Sequence, residues 1–138
     1  MYARAGTTLI DLIAAAGLFS LLAGLAVLHL PGLSDPIRLR GAAHELAATL
    51  RLARARALAH GVRVRVSVAG SPPVATVFEG STPVGSWHLP RVAIVSLPAG
   101  GSLTFTPFGT APNATITFGA GTRLRSVIVN QRGRVRVG

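Results

Sequence analysis

The chain has 138 residues and a formal net charge of +10, enough for about one ordinary domain. It has no cysteine, which excludes a disulfide framework, thiolate metal sites and cysteine nucleophiles. All fourteen basic residues are arginine, and the only carboxylates are Asp11, Asp35, Glu45 and Glu79. The excess of positive charge makes an attractive field for polyanions or acidic lipid, while the choice of arginine over lysine also fits the codon usage of a GC-rich genome.

The segment Leu9–Leu30, LIDLIAAAGLFSLLAGLAVLHL, is apolar apart from Asp11, Ser20 and His29. It is long enough for a helix crossing the ~30 Å hydrocarbon core. A cleaved secretory signal has an apolar run of only about 7–15 residues followed by a small-x-small site. This run is longer and leads into Pro31 instead. An ionisable group inside such a helix is costly and is kept for a purpose, which singles out Asp11. Ala16, Ser20 and Gly24 recur every four residues, a spacing that lets membrane helices approach closely. Arg38 and Arg40 follow the helix and only Arg4 precedes it. By charge alone, that bias favours a cytoplasmic C-terminal part.

Pro31, Gly32 and Pro36 in PGLSDP predict a break, followed by a helix from Ile37 to His60. Leu39, Ala43, Leu46, Leu50, Ala53 and Ala57 form one stripe at helical period and predict a buried face. Arg40, Arg51 and Arg54 are expected on the solvated side, and Gly61 to stop the helix. Beyond it the period becomes two: Val62, Val64, Val66 and Val68 alternate with Arg63, Arg65 and Ser67, a half-buried strand. Further strands are predicted over Val74–Glu79, Val84–His88, Val92–Ser96, Leu103–Thr106, Ala114–Phe118, Leu124–Val129 and Arg134–Val137, separated by Gly/Pro clusters. The fold class is α+β, a long N-terminal apolar spine helix followed by a small antiparallel β-rich domain of one sheet or two. The division is residues 1–6 as a leader, 7–30 as a membrane and assembly helix, 31–60 as a linker and amphipathic helix, and 61–138 as the β-rich domain.

Asn130-Gln131-Arg132-Gly133 reads as a turn. A two-residue loop would set Val129 opposite Arg134 and Val127 opposite Arg136. Arg123, Arg125, Arg134 and Arg136 would then share one face, with Leu124, Ile128, Val135 and Val137 in the core behind them. A one-residue slip would undo that arrangement. Four like charges on one face suit a polyphosphate, which relieves their repulsion and releases counterions. The same charges on an edge hairpin also discourage edge-to-edge pairing. Trp87 and the five phenylalanines are not interleaved with these arginines along the sequence, so no base-stacking platform is evident. His29, His44, His60 and His88 are scattered without metal-ligand spacing, and there is no Gly-x-Ser-x-Gly elbow. No enzymatic activity and no cofactor are expected.

The stretch Gly6-Thr7-Thr8-Leu9-Ile10-Asp11-Leu12, behind the basic leader MYARAG, closely resembles the prepilin signature. Thr7 stands where that family has phenylalanine and Asp11 where it has glutamate. The spine, the segment LAATLRLARARALAHGVRVRVSV and the ending RSVIVNQRGRVRVG together resemble the GspH/FimT group of minor pseudopilins and minor pilins. The resemblance implies cleavage by a prepilin peptidase between Gly6 and Thr7 and methylation of the Thr7 amine. It implies that Asp11 pairs with a terminal amine during assembly. It also implies an inner-membrane protein with a single span and a periplasmic β domain, against the charge count above. Implied partners are other major and minor pseudopilins or pilins, and a secreted protein substrate. Gly133-Arg134-Val135-Arg136 matches a Gly-Arg-x-Arg pattern associated with DNA binding in FimT-like minor pilins, which would put Arg134 and Arg136 on phosphates; Arg123 and Arg125 join them as candidates only through the shared face expected above. The sequence leaves three readings: a type II secretion pseudopilin, a type IV minor pilin that binds DNA for uptake, and a plain membrane-anchored β domain.

Overall fold

The structure, a computed structural model, describes residues 8–29 and 31–138, and side chains outside 26–33. The chain divides into two compact units, Met1–Ser34 and Asp35–Gly138. In the first, α1 runs over Leu9–His29, 21 residues. Its apolar side chains are open: Leu9 is 77% and Phe19 75% exposed. Ser20 hides its polarity by donating its hydroxyl to the Ala16 carbonyl at 2.9 Å, the local bond open to a serine in a helix. Among the described residues no helix is long and apolar enough to cross a membrane. The predicted span, Leu9–Leu30, extends past the described side chains at its C-terminal end.

The second helix, α2, spans Pro31–His60 and so starts earlier than the sequence suggests. The predicted break at PGLSDP is helical. Pro31 falls at the first helical position, where a missing N–H costs nothing. Pro36 lies inside the helix, where it deletes the bond to the Gly32 carbonyl. Burial of the helix from Leu39 onward offsets that loss. Leu39, Ala43, Leu46, Leu50, Ala53 and Ala57 are all buried, as their spacing predicts. Gly61, at φ +65°, supplies the left-handed residue that ends the helix.

Eight strands follow. One antiparallel sheet has the order β3 (Thr82–His88), β2 (Val74–Glu79), β1 (Val64–Ala69), β5 (Ser102–Phe105). The other has the order β4 (Ala93–Ser96), β6 (Ala114–Ala120), β7 (Arg123–Val129), β8 (Val135–Val137). All eight coincide with predicted strands to within one or two residues at each end, and the question of one sheet or two resolves to two. The chain changes sheet after β3, after β4 and after β5, so neither sheet is a local meander. One core joins the α2 stripe to Val64, Val66 and Val77 of one sheet and Ile116, Phe118, Val127 and Val129 of the other. Glu79 ties the end of α2 to β2, lying 3.5 Å from Arg56 Nη1 and 3.0 Å from His60 Nδ1.

The C-terminal hairpin differs from its predicted register by one residue. Val129 pairs with Val135, Ile128 with Arg136 and Val127 with Val137. The loop is longer than two residues: Gly133 N–H donates to the Asn130 carbonyl at 2.8 Å and Asn130 N–H to the Arg134 carbonyl at 3.1 Å. This is a three-residue loop closed by a left-handed glycine, Gly133 at φ +70°, a common hairpin connection. Because side chains alternate, the slip exchanges the faces. Val127 and Val129 are buried, whereas Ile128 and Leu124, expected in the core, are 42% and 61% exposed. Ile128→Ala should therefore cost less than about 1 kcal/mol, the range of a surface change. Phe118→Ala should cost about 3–5 kcal/mol. Urea unfolding followed by circular dichroism checks both, and the reverse order would contradict this register.

Candidate functional site

The candidate site residues read from the sequence fall at two places: the start of α1 and the arginine hairpin. At the first, Thr8 and Asp11 form a reciprocal cap. Asp11 N–H donates to Thr8 Oγ1 at 3.4 Å. In return Asp11 Oδ2 accepts from Thr8 N–H at 3.1 Å and from the Thr8 hydroxyl at 2.9 Å. The Thr8 N–H of the helix start is thereby satisfied, Asp11 N–H is shared between Thr8 Oγ1 and the Thr8 carbonyl at 3.0 Å, and a negative charge sits at the positive end of the helix dipole. Asp11 is thus a capping residue as well as the predicted assembly carboxylate. The Thr-x-x-Asp spacing was a readable signal for it. Gly6 and Thr7, the predicted cleavage and methylation positions, lie outside the described residues.

The shifted register disperses the arginines expected on one face. Arg123 and Arg125 lie on the same face of β7 as Val127 and Val129, with Arg125 paired across from Phe118 and Arg123 from Ala120. They occupy the stretch where the inward row runs past the core. There they line a cleft of about 390 Å³ with Pro36, Leu39, Arg40, Leu124 and Gly138, and Arg125 Nη1 donates to the Gly138 carbonyl at 3.4 Å. Arg136 lies on the opposite face, and Arg134 belongs to the turn; both are exposed.

Arg134 and Arg136 have different companions from those predicted. With Arg51 and Arg54 of α2, and with Asn130, Gly133 and Val135, they line a second cleft of about 470 Å³. No carboxylate lines it. Arg51 and Arg54 were expected to be solvated. Arg51 is exposed as expected and Arg54 is half-buried, and each also makes a specific bond: Arg51 Nη2 donates to the Val135 carbonyl at 3.3 Å and Arg54 Nε to the Gly109 carbonyl at 3.0 Å. Each of these bonds uses one of the five N–H donors of a guanidinium, so the two side chains clasp the hairpin to the helix and still present charge to the cleft. Sequence spacing could not reveal the pairing, because 84 residues separate Arg51 from Val135.

Gly133 has a structural role in this arrangement. Its φ is +70°, and a Cβ there would collide with the Gly109 carbonyl oxygen and press on Arg54 Nε at 2.9 Å. The glycine of the Gly-Arg-x-Arg motif is therefore required for the hairpin to lie against the 106–111 loop, whatever the arginines bind.

A capped apolar helix, a second helix buried along one face, and two antiparallel sheets closing on that face define a pilin-like protein. Over residues 42–133 the chain matches the family described as Type II transport protein GspH, and it belongs to that family. Its fold is similar to crystal structures of the type IV minor pilin FimU of Pseudomonas aeruginosa in two crystal forms. One is 20% identical with a TM-score of 0.60, covering 72% of this chain and 87% of that one. The other is 22% identical with a TM-score of 0.58, covering 72% and 92%. No curated protein matches the chain.

Gly133→Ala should destabilise the protein by roughly 1–3 kcal/mol more than Gly61→Ala. Gly61 shares the left-handed backbone but has open space around its Cβ position, so the difference isolates the steric part. Thermal unfolding of the two variants measures it, and equal losses would remove the packing role assigned to Gly133.

Proposed function

We propose that this chain is a minor pseudopilin of a type II secretion machine, a structural subunit inserted through α1 into a short pseudopilus for protein export. The observation that carries this reading is the apolar surface of α1, where Leu9, Ile10, Leu12, Ile13, Leu18, Phe19, Leu21 and Leu22 are all exposed. A contiguous apolar surface of this kind calls for a partner. A bilayer before assembly and neighbouring subunit helices after it are the two partners consistent with the leader that precedes α1. On this reading the inner membrane holds the single span, the β domain is periplasmic, and a prepilin peptidase cuts between Gly6 and Thr7. The freed, methylated Thr7 amine then pairs with a neighbour's Asp11, a buried charge that is tolerable only when compensated. The domain meets other major and minor pseudopilins and the secreted substrate, and the work is done by motors elsewhere.

Co-expression with a prepilin peptidase should give a mature chain whose amino-terminal sequence begins at Thr7, and Gly6→Leu should remain full length. Asp11→Asn keeps an acceptor for the helix cap and removes the charge. It should be cleaved normally yet recovered from the membrane rather than from sheared pseudopili. Retention of Met1 in the presence of active peptidase would leave only a plain membrane-anchored domain.

The cleft of four arginines supports a second reading, a minor pilin that binds DNA through Arg134 and Arg136. Such contacts are to phosphate, giving affinity without sequence preference. DNA affinity of the full chain in neutral detergent should fall linearly on a log–log plot against salt. The double variant Arg134→Ala, Arg136→Ala should largely abolish it. Absence of binding at low salt would leave the secretion reading alone.

A further inference from the structure

We propose that the arginine cleft takes single-stranded DNA in particular, with Phe108 as the platform on which an unpaired base stacks; this rests on the DNA-binding reading just given. Phe108 stands 85% exposed in the turn that joins β5 to β6, far from the hairpin in sequence. The turn is tightly held. Gly109 N–H donates to the Thr106 carbonyl and Thr106 N–H to the Thr110 carbonyl, both at 2.8 Å, and the hydroxyls of Thr106 and Thr110 are 2.6 Å apart. One bond fastens it to the arginine cleft and one to the hairpin turn: the Gly109 carbonyl accepts from Arg54 Nε at 3.0 Å, and Ala111 N–H donates to the Gln131 carbonyl at 3.2 Å. The residue after Phe108 is thus in direct contact with one of the cleft arginines, and Gly133 packs against the same carbonyl.

The surface continues past the hairpin. A neighbouring cleft of about 290 Å³ is lined by Asn113, Asn130, Gln131, Arg132 and Arg134, sharing Asn130 and Arg134 with the first. Guanidinium groups and side-chain amides therefore lie on adjoining ground, and the turn that carries the exposed ring of Phe108 is bonded to it through the next residue, Gly109. These match the parts of a strand: phosphates for the arginines, base edges for the amides, a base face for the ring. A positively charged groove combined with an aromatic platform is the general means of holding a single strand without sequence preference. A duplex offers the arginines the same phosphates but keeps its base faces stacked, so the ring adds nothing to duplex binding. Because the turn is already hydrogen-bonded, little loop entropy is lost when a base docks.

Full-length chain in neutral detergent, titrated with a short mixed-sequence single strand and with the corresponding duplex, tests the assignment. Phe108→Ala should weaken single-strand binding roughly five- to hundredfold and leave duplex binding within about twofold, with an unchanged melting temperature because the ring is exposed. Phe108→Trp should restore the affinity and add a fluorescence signal, beyond that of Trp87, which the single strand quenches. Single-strand affinity unchanged in Phe108→Ala, while Arg134→Ala, Arg136→Ala loses binding to both forms, would overturn the stacking role and leave the phosphate-binding reading intact. Failure of the unaltered chain to bind either form would overturn both.

Discussion

The structure depends on the burial of one face of α2. Leu39, Leu46 and Leu50 fill the space between the helix and the sheets, and replacing either Leu46 or Leu50 with alanine belongs to the class of change that costs about 2–5 kcal/mol. Ala42, Ala43, Ala47, Ala53 and Ala57 are fully buried as well. With side chains this small, the interior is filled largely by the leucines of the helix and the valine, isoleucine and phenylalanine side chains of the sheets, packed to ordinary interior density. Two sheets meet one helix face, so a rotation of the helix would disturb both at once.

That fixed rotation has a consequence at the surface. Arg51 and Arg54 flank Ala53, whose burial sets their direction toward the hairpin carbonyl of Val135 and the loop carbonyl of Gly109. A packing interaction thereby determines an electrostatic one. Charges that would repel one another if free are held at one cleft by bonds to backbone oxygens. The two described carboxylate-bearing contacts lie elsewhere: Glu79 with Arg56 and His60, and Asp11 with Thr8. The positive field at the hairpin is left without internal compensation among these contacts.

The two ends of the chain solve different problems. In α1 the difficulty is polarity on an apolar surface, and it is met locally: Ser20 bonds to Ala16 one turn back, and Asp11 and Thr8 satisfy each other. The hairpin's difficulty is close approach, and it is met by distant parts: Gly133 makes room for the Gly109 carbonyl, which in turn holds Arg54. The same motif residues therefore serve packing and charge together, and a short pattern such as Gly-Arg-x-Arg cannot be assigned to ligand binding alone.

What could be read in the sequence was whatever depends on short-range periodicity. The α2 stripe at spacings of three and four, the alternation from Val64 to Val68 and the Gly/Pro punctuation located both helices and all eight strands, because those patterns are imposed by the 3.6 and 2.0 side-chain repeats themselves. The Thr-x-x-Asp cap was equally local and could have been read. The helical course of PGLSDP was hidden because proline's local cost was outweighed by packing further along the helix. The hairpin register was hidden because a two-residue and a three-residue loop fit the same residues, and the choice falls to whichever puts Val127 and Val129 rather than Ile128 into the core. The company of Arg134 and Arg136 was hidden most completely. Arg51, Arg54 and Phe108 come from other elements, and only the closing of two sheets on one helix face brings them to the hairpin.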